Sequence, residues 1–126
     1  MSDPNNEVLE INSIINSIKK KLGAGEDYTY FDHDILTEIN SSFATLYQLG
    51  VGTKTFIVES EDDTWDDYFD EVNAINRHSL EHIKEYVYLS VKLIFDPPES
   101  SFLIDALSKK KDEMEWRIFL DEDILE

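Results

Sequence analysis

The chain has no cysteine. That removes disulfides, thiol nucleophiles and Cys-ligated zinc or iron-sulfur centres together, and it suits a reducing compartment such as the cytosol. Long hydrophobic runs are also missing. The longest apolar stretch, Tyr86 to Phe95, is interrupted by Ser90 and Lys92 and has about half the length that crosses a bilayer, so no membrane partner is expected. Met1 to Asn6 is polar and shows no signal-peptide pattern. Basic residues are scarce, 11 Lys and Arg against 28 Asp and Glu, for a net charge of -17. This excludes a protein that grips a phosphate backbone, because too little positive charge is present to displace counterions. Such a balance favours basic partners, or a surface past which DNA slides without sticking.

What is present is enough for a core. Of the 126 residues, 41% are hydrophobic and 12% aromatic, which rules out a disordered acidic tail and fits one domain over residues 1–126. The patterning predicts a mainly α fold, a small bundle of about four to five helices with one short β element and an extended C-terminal tail. The core spans about 8–118 and the acidic tail about 116–126.

The first helix is expected from about Asn5 to Leu22, with Asp3 as N-cap, Lys19, Lys20 and Lys21 in its last turn, and Gly23 as its left-handed stop. A second begins near Asp32 or Asp34, either of which can cap it. It turns Ile35, Leu36, Ile39, Phe43, Leu46 and Tyr47 inward and stops at Gly50. Thr55-Phe56-Ile57-Val58 is β-branched and aromatic enough for a short strand. Thr64 caps a short helix through Trp65 and Tyr68, with Asp67 at the capping-box position. His78 to Phe95 is apolar on several sides and therefore central. Pro97 and Pro98 end it, Ser100 or Ser101 caps the next helix, and Phe102, Leu103, Ala106 and Leu107 lead that helix back along the bundle. Trp116 to Leu120 leaves apolar surface near an acidic terminus and reads as a docking tail.

Chemistry-bearing patterns are thin. His78 and His82 lie one helical turn apart, a metal-sharing distance, but Ser79 stands where a zincin helix needs Glu, so solvated or structurally bonded histidines are the simpler reading. Glu61, Asp62, Asp63, Asp66, Asp67, Asp70 and Glu71 lack the alternating order and the glycine of a calcium loop, and read as a solvated acidic face. No G-x-S-x-G and no phosphate loop occurs. No enzyme activity, cofactor or metal is expected.

Several stretches occur together in a family's order: Phe31-Asp32-His33-Asp34-Ile35-Leu36, Gln48-Leu49-Gly50-Val51-Gly52, Thr64-Trp65-Asp66-Asp67, Phe95-Asp96-Pro97-Pro98 and Glu115-Trp116-Arg117. Over residues 8–118 the chain resembles the head-to-tail connector (adaptor, or head completion) proteins of long-tailed phages and prophages. The resemblance implies a virion protein of the neck without cofactor, forming a homo-oligomeric ring of about 12 copies under the portal protein. It implies a second partner in the next neck or tail-completion protein, and a channel through which DNA passes without specific binding.

On that reading the protein-interface candidates are Thr55, Phe56, Ile57, Val58, Trp65, Trp116, Arg117, Ile118, Phe119 and Leu120. The acidic channel candidates are Glu61, Asp62, Asp63, Asp66 and Asp67. A competing reading is an acidic inhibitor that mimics DNA, with carboxylates presented on one exposed face of a monomer or dimer.

Overall fold

The computed structural model describes residues 12–25, 27–73 and 75–123. Among these the chain forms five helices: α1 Ile14–Leu22, α2 Asp32–Gln48, α3 Trp65–Val72, α4 Arg77–Phe95 and α5 Ser101–Asp123. The mainly α bundle expected from the patterning is the architecture found.

The described helix α1 begins at Ile14, so the single helix expected from Asn5 to Leu22 is interrupted at Ser13, and the earlier part of that expectation lies outside the described residues. Ser13 has extended backbone and its hydroxyl accepts from the Asn16 N–H, so it is the N-cap of the described helix. Asp3, Pro4 and Val8 lie outside the described residues. The end of α1 is as anticipated. Gly23 has φ +84°, and the N–H groups of Ala24 and Gly23 donate to the Lys19 and Lys20 carbonyls, a Schellman closure. Helix α2 closes the same way: Gly50 takes φ +91°, Val51 N–H donates to Leu46 O and Gly50 N–H to Tyr47 O.

At its start, α2 departs from expectation. Neither Asp32 nor Asp34 caps it; Phe31 is the N-cap and supplies no side-chain bond. Asp32 faces Lys19 instead, 2.9 Å away. Thr64 and Asp67 form the reciprocal capping box at the head of α3, with Thr64 Oγ1 accepting from Asp67 N–H and Asp67 Oδ2 from Thr64 N–H.

The core is built on α2 and α4. Ile35, Ile39, Phe43 and Leu46 of α2 meet Ile83, Tyr86, Val87 and Val91 of α4, with Ile14, Ile15 and Ile18 of α1 against them. Phe43 is the aromatic hub, stacked on Tyr68 at 4.6 Å and edge-on to Phe56 and Trp65. Tyr47, assigned inward by periodicity, faces solvent, and Ile94 near the end of the central helix α4 is exposed as well. Phe102 and Leu103 are exposed too; Ile104 and Leu107 are half-buried, and α5 packs against the core at Met114 and Ile118.

Among the described residues Thr55–Val58 joins no strand ladder, which corrects the expected strand. The side chain of Asn40 on α2 serves as its partner, donating from Nδ2 to Val58 O at 3.0 Å and accepting at Oδ1 from Val58 N–H at 2.7 Å. Among the described residues the one β-bridge joins Ser13 to Thr64. The C-terminal stretch is corrected likewise: residues 116–123 are not an extended tail but the last turns of α5.

Candidate protein–protein interface

The structure divides the ten interface candidates. Trp65 is 2% exposed, with Nε1–H donated to Ser17 Oγ at 3.0 Å, and it packs on Phe43 and Tyr68. Phe56 and Val58 are buried, and Ile118 is 1% exposed beneath α5. These four are core positions, and their expected place at an interface is corrected. Thr55, Ile57, Trp116, Arg117, Phe119 and Leu120 remain on the surface. The alternation of Phe56 and Val58 inward with Ile57 outward follows from extended backbone, whose successive side chains point to opposite sides.

The surface candidates do not form one patch. Trp116 and Phe119, one helical turn apart on α5, stack at 5.9 Å and border a groove of about 360 Å³ with Leu49, Asp112 and Glu115. Trp116 is 59% exposed, far more than a structural tryptophan needs. Sequence reasoning missed a second aromatic cluster. Tyr28, Tyr30 and Phe31 are exposed just before α2, Tyr30 lies edge-on to Phe31 at 4.8 Å, Phe31 packs on Phe95 at 6.3 Å, and Tyr28, Phe31 and Ile94 line a groove of about 330 Å³. Its signal was three aromatics within four residues outside any helical stripe.

Phe31 and Leu49 flank the two ends of α2, whose 17 residues separate the clusters by about 25 Å at 1.5 Å per residue.

The acidic candidates also divide. Asp63 is used internally, accepting at Oδ2 from the Glu59 and Ser60 N–H groups, and Asp67 belongs to the α3 cap. Asp66 accepts from Asn12 Nδ2 at 3.0 Å. Glu61 and Asp62 are exposed at the tip of the loop. The turn that carries them is thus fixed by its own hydrogen bonds and by the tie to α1 through Ile14 N–H and Asp63 O, 3.0 Å apart.

Positive charge is concentrated where α1, α4 and α5 meet. Lys21 and Lys110 lie 3.0 and 3.2 Å from Glu85, and Lys84 lies 3.3 Å from Glu81. Burial pushes the Glu85 carboxyl up, but the two lysines outweigh it and hold its pKa below the ordinary value. On the next position of α4, burial pushes the Tyr86 phenol up to about 12, aided by the charges of Glu115 and Asp112. His82 Nδ1 is 3.0 Å from Asp121 Oδ2, which fastens the end of α5 to α4, while His78 is exposed. Among the described residues no three His, Asp or Glu side chains gather as a metal site, and no helix is long and apolar enough to cross a membrane.

An acidic helical bundle with two separated aromatic surfaces has the make-up of a protein that fits between others. The chain belongs to the phage connector protein family, whose model matches residues 14–124. It is therefore a structural connector of a phage particle, which interacts with other head or tail proteins. Comparison with curated proteins and with solved structures returns no match.

Proposed function

We propose that the protein is a non-enzymatic neck component that forms a ring under the portal, lengthens the DNA channel and docks the next neck or tail-completion protein. The observation that carries this reading is the pair of unlike aromatic surfaces at opposite ends of α2, Tyr28–Phe31 with Ile94 at one end and Leu49 with Trp116 and Phe119 at the other. A connector needs two docking faces for two different neighbours, and aromatic side chains dominate the energetics of such faces. The two ends of α2 supply them.

Charge supports the same reading. At -17 per copy, a lumen lined by the carboxylates that lateral contacts leave free, Asp66 among them, repels DNA phosphates, so the genome passes without adhering. Asp63 and Asp67 hold the acidic loop in shape rather than face the channel.

The test is mass by light scattering, with negative-stain microscopy, on the protein alone and with its portal. Rings or portal binding support the proposal. A monomer that ignores the portal and instead binds a DNA-processing enzyme overturns it in favour of DNA mimicry.

A further inference from the structure

Four of the 11 basic residues of this acidic chain gather in one place. A groove of about 350 Å³ runs between α1 and α4, with Ile18 and Trp65 among its lining and Lys20, Lys21 and Lys84 around it. Lys110 adds a fourth ammonium through Glu85. Four lysines against Glu81 and Glu85 leave a surplus of two positive charges, in a protein whose net charge is -17. Lys20 is exposed at the end of α1 and makes no ion pair among the described residues. The groove therefore offers apolar contact at its base and unneutralised charge at its rim.

The matching shape is on the same chain. Ile57 is exposed, and Glu59, Glu61 and Asp62 follow it around a tight turn. One apolar side chain beside three carboxylates complements an apolar base beneath a lysine rim. This knob cannot fold back into its own groove, because Asn40 anchors Val58 to α2 while Asp63 and the Ser13–Thr64 bridge fix the far side of the turn.

We propose that the knob of Ile57, Glu59, Glu61 and Asp62 on one copy docks in the lysine-rimmed groove of the next copy. The inference rests on the ring reading above and names its lateral contact. Knob and groove are different surfaces of one subunit, the arrangement a heterologous head-to-tail contact requires. The contact also answers the self-repulsion of copies at -17 each, since it brings a lysine-rich surface against a carboxylate cluster. The aromatic ends of α2 stay free for the neighbours above and below.

Charge reversal tests this. The chain carrying Lys20→Glu and Lys84→Glu, and the chain carrying Glu61→Lys and Asp62→Lys, are compared with wild type by sedimentation velocity, alone and on portal rings, with helicity checked by circular dichroism. Lys20→Glu alone, at an exposed site, serves if the double change at the groove perturbs folding. Each one-sided variant should lose the ring species. The chain carrying all four changes has both surfaces inverted and should regain it.

Rings that persist in the one-sided variants overturn this contact and leave the ring reading intact. Loss without recovery in the fourfold variant also overturns the contact, since pairing then does not explain the loss. A wild type that stays monomeric at every concentration and leaves the portal bare overturns the ring reading, and this contact falls with it.

Discussion

Lys19 Nζ lies 2.9 Å from Asp32 Oδ1, and the lysine side chain is only 2% exposed while the aspartate is 31% exposed. The pair joins the end of α1 to the start of α2 and closes that corner of the bundle. Its unequal burial makes its two halves unequal in consequence. Removing the carboxylate leaves a buried ammonium short of its counter-charge, whereas removing the ammonium leaves a carboxylate that water can reach. Asp32→Ala should therefore cost about 2–4 kcal/mol and Lys19→Met clearly less. Urea denaturation of both variants checks the order; equal losses would refute the argument.

Gly52 combines φ +83° with a close approach, since a Cβ there would fall 1.8 Å from Val72 Cγ1. Gly50 shares the left-handed backbone but has open space around it. Gly50→Ala should cost about 1–2 kcal/mol, from backbone strain alone. Gly52→Ala adds a core clash of about 1–3 kcal/mol. Thermal melts should rank the two variants in that order.

Trp116 and Ile118 stand two residues apart on α5, one exposed and one buried. Trp116→Ala should leave the melting temperature nearly unchanged and abolish binding of one axial partner. Ile118→Ala should lower stability by about 2–4 kcal/mol. Calorimetry with portal pull-down separates the two effects. Portal and tail-side binding both intact in Trp116→Ala would remove that surface from the proposal.

Tyr86 titrates at about 12 in the folded chain against an ordinary value of 10. A folded pKa raised above the unfolded one means the unfolded state releases its proton first. The stability tied to the neutral phenol is complete below about pH 10 and drains away as the pH rises toward 12. Tyr86→Phe should flatten the alkaline limb of stability against pH. Glu85 runs the other way: its lowered pKa adds stability above the unfolded carboxylate range that is lost on acidification.

Local rules were the legible part of the sequence. Gly23 and Gly50 end their helices because a left-handed residue is needed there, and Thr64 with Asp67 caps α3 because both partners lie within four residues of each other. What could not be read depended on distant neighbours. Trp65 is a core residue since Phe43, Tyr68 and Ser17 converge on it from three elements. Asp32 gave up its capping role to a lysine 13 positions earlier. Thr55–Val58 had the side-chain alternation of a strand, but the alternation does not say what bonds the backbone, and here it is an amide from α2. The surface candidates followed the same division. Trp116 stood out in sequence as an aromatic in a polar terminus, whereas the lysine groove exists only where three helices meet.

That amide sets a condition on the most acidic part of the chain. Asn40 meets a donor and an acceptor of Val58 at once, so its own two ends must differ. Aspartate could receive the Val58 N–H but would press its second oxygen on the Val58 carbonyl. Asn40→Asp, the product of simple amide hydrolysis, thus adds one more negative charge at the single nearby position that needs a neutral group. The Val58 side of the acidic loop would come loose from α2 with no other residue altered, while Asp63 and the Ser13–Thr64 bridge still hold the far side, so stored protein that has aged in this way would keep its helices and its turn but lose the fixed placement of its knob.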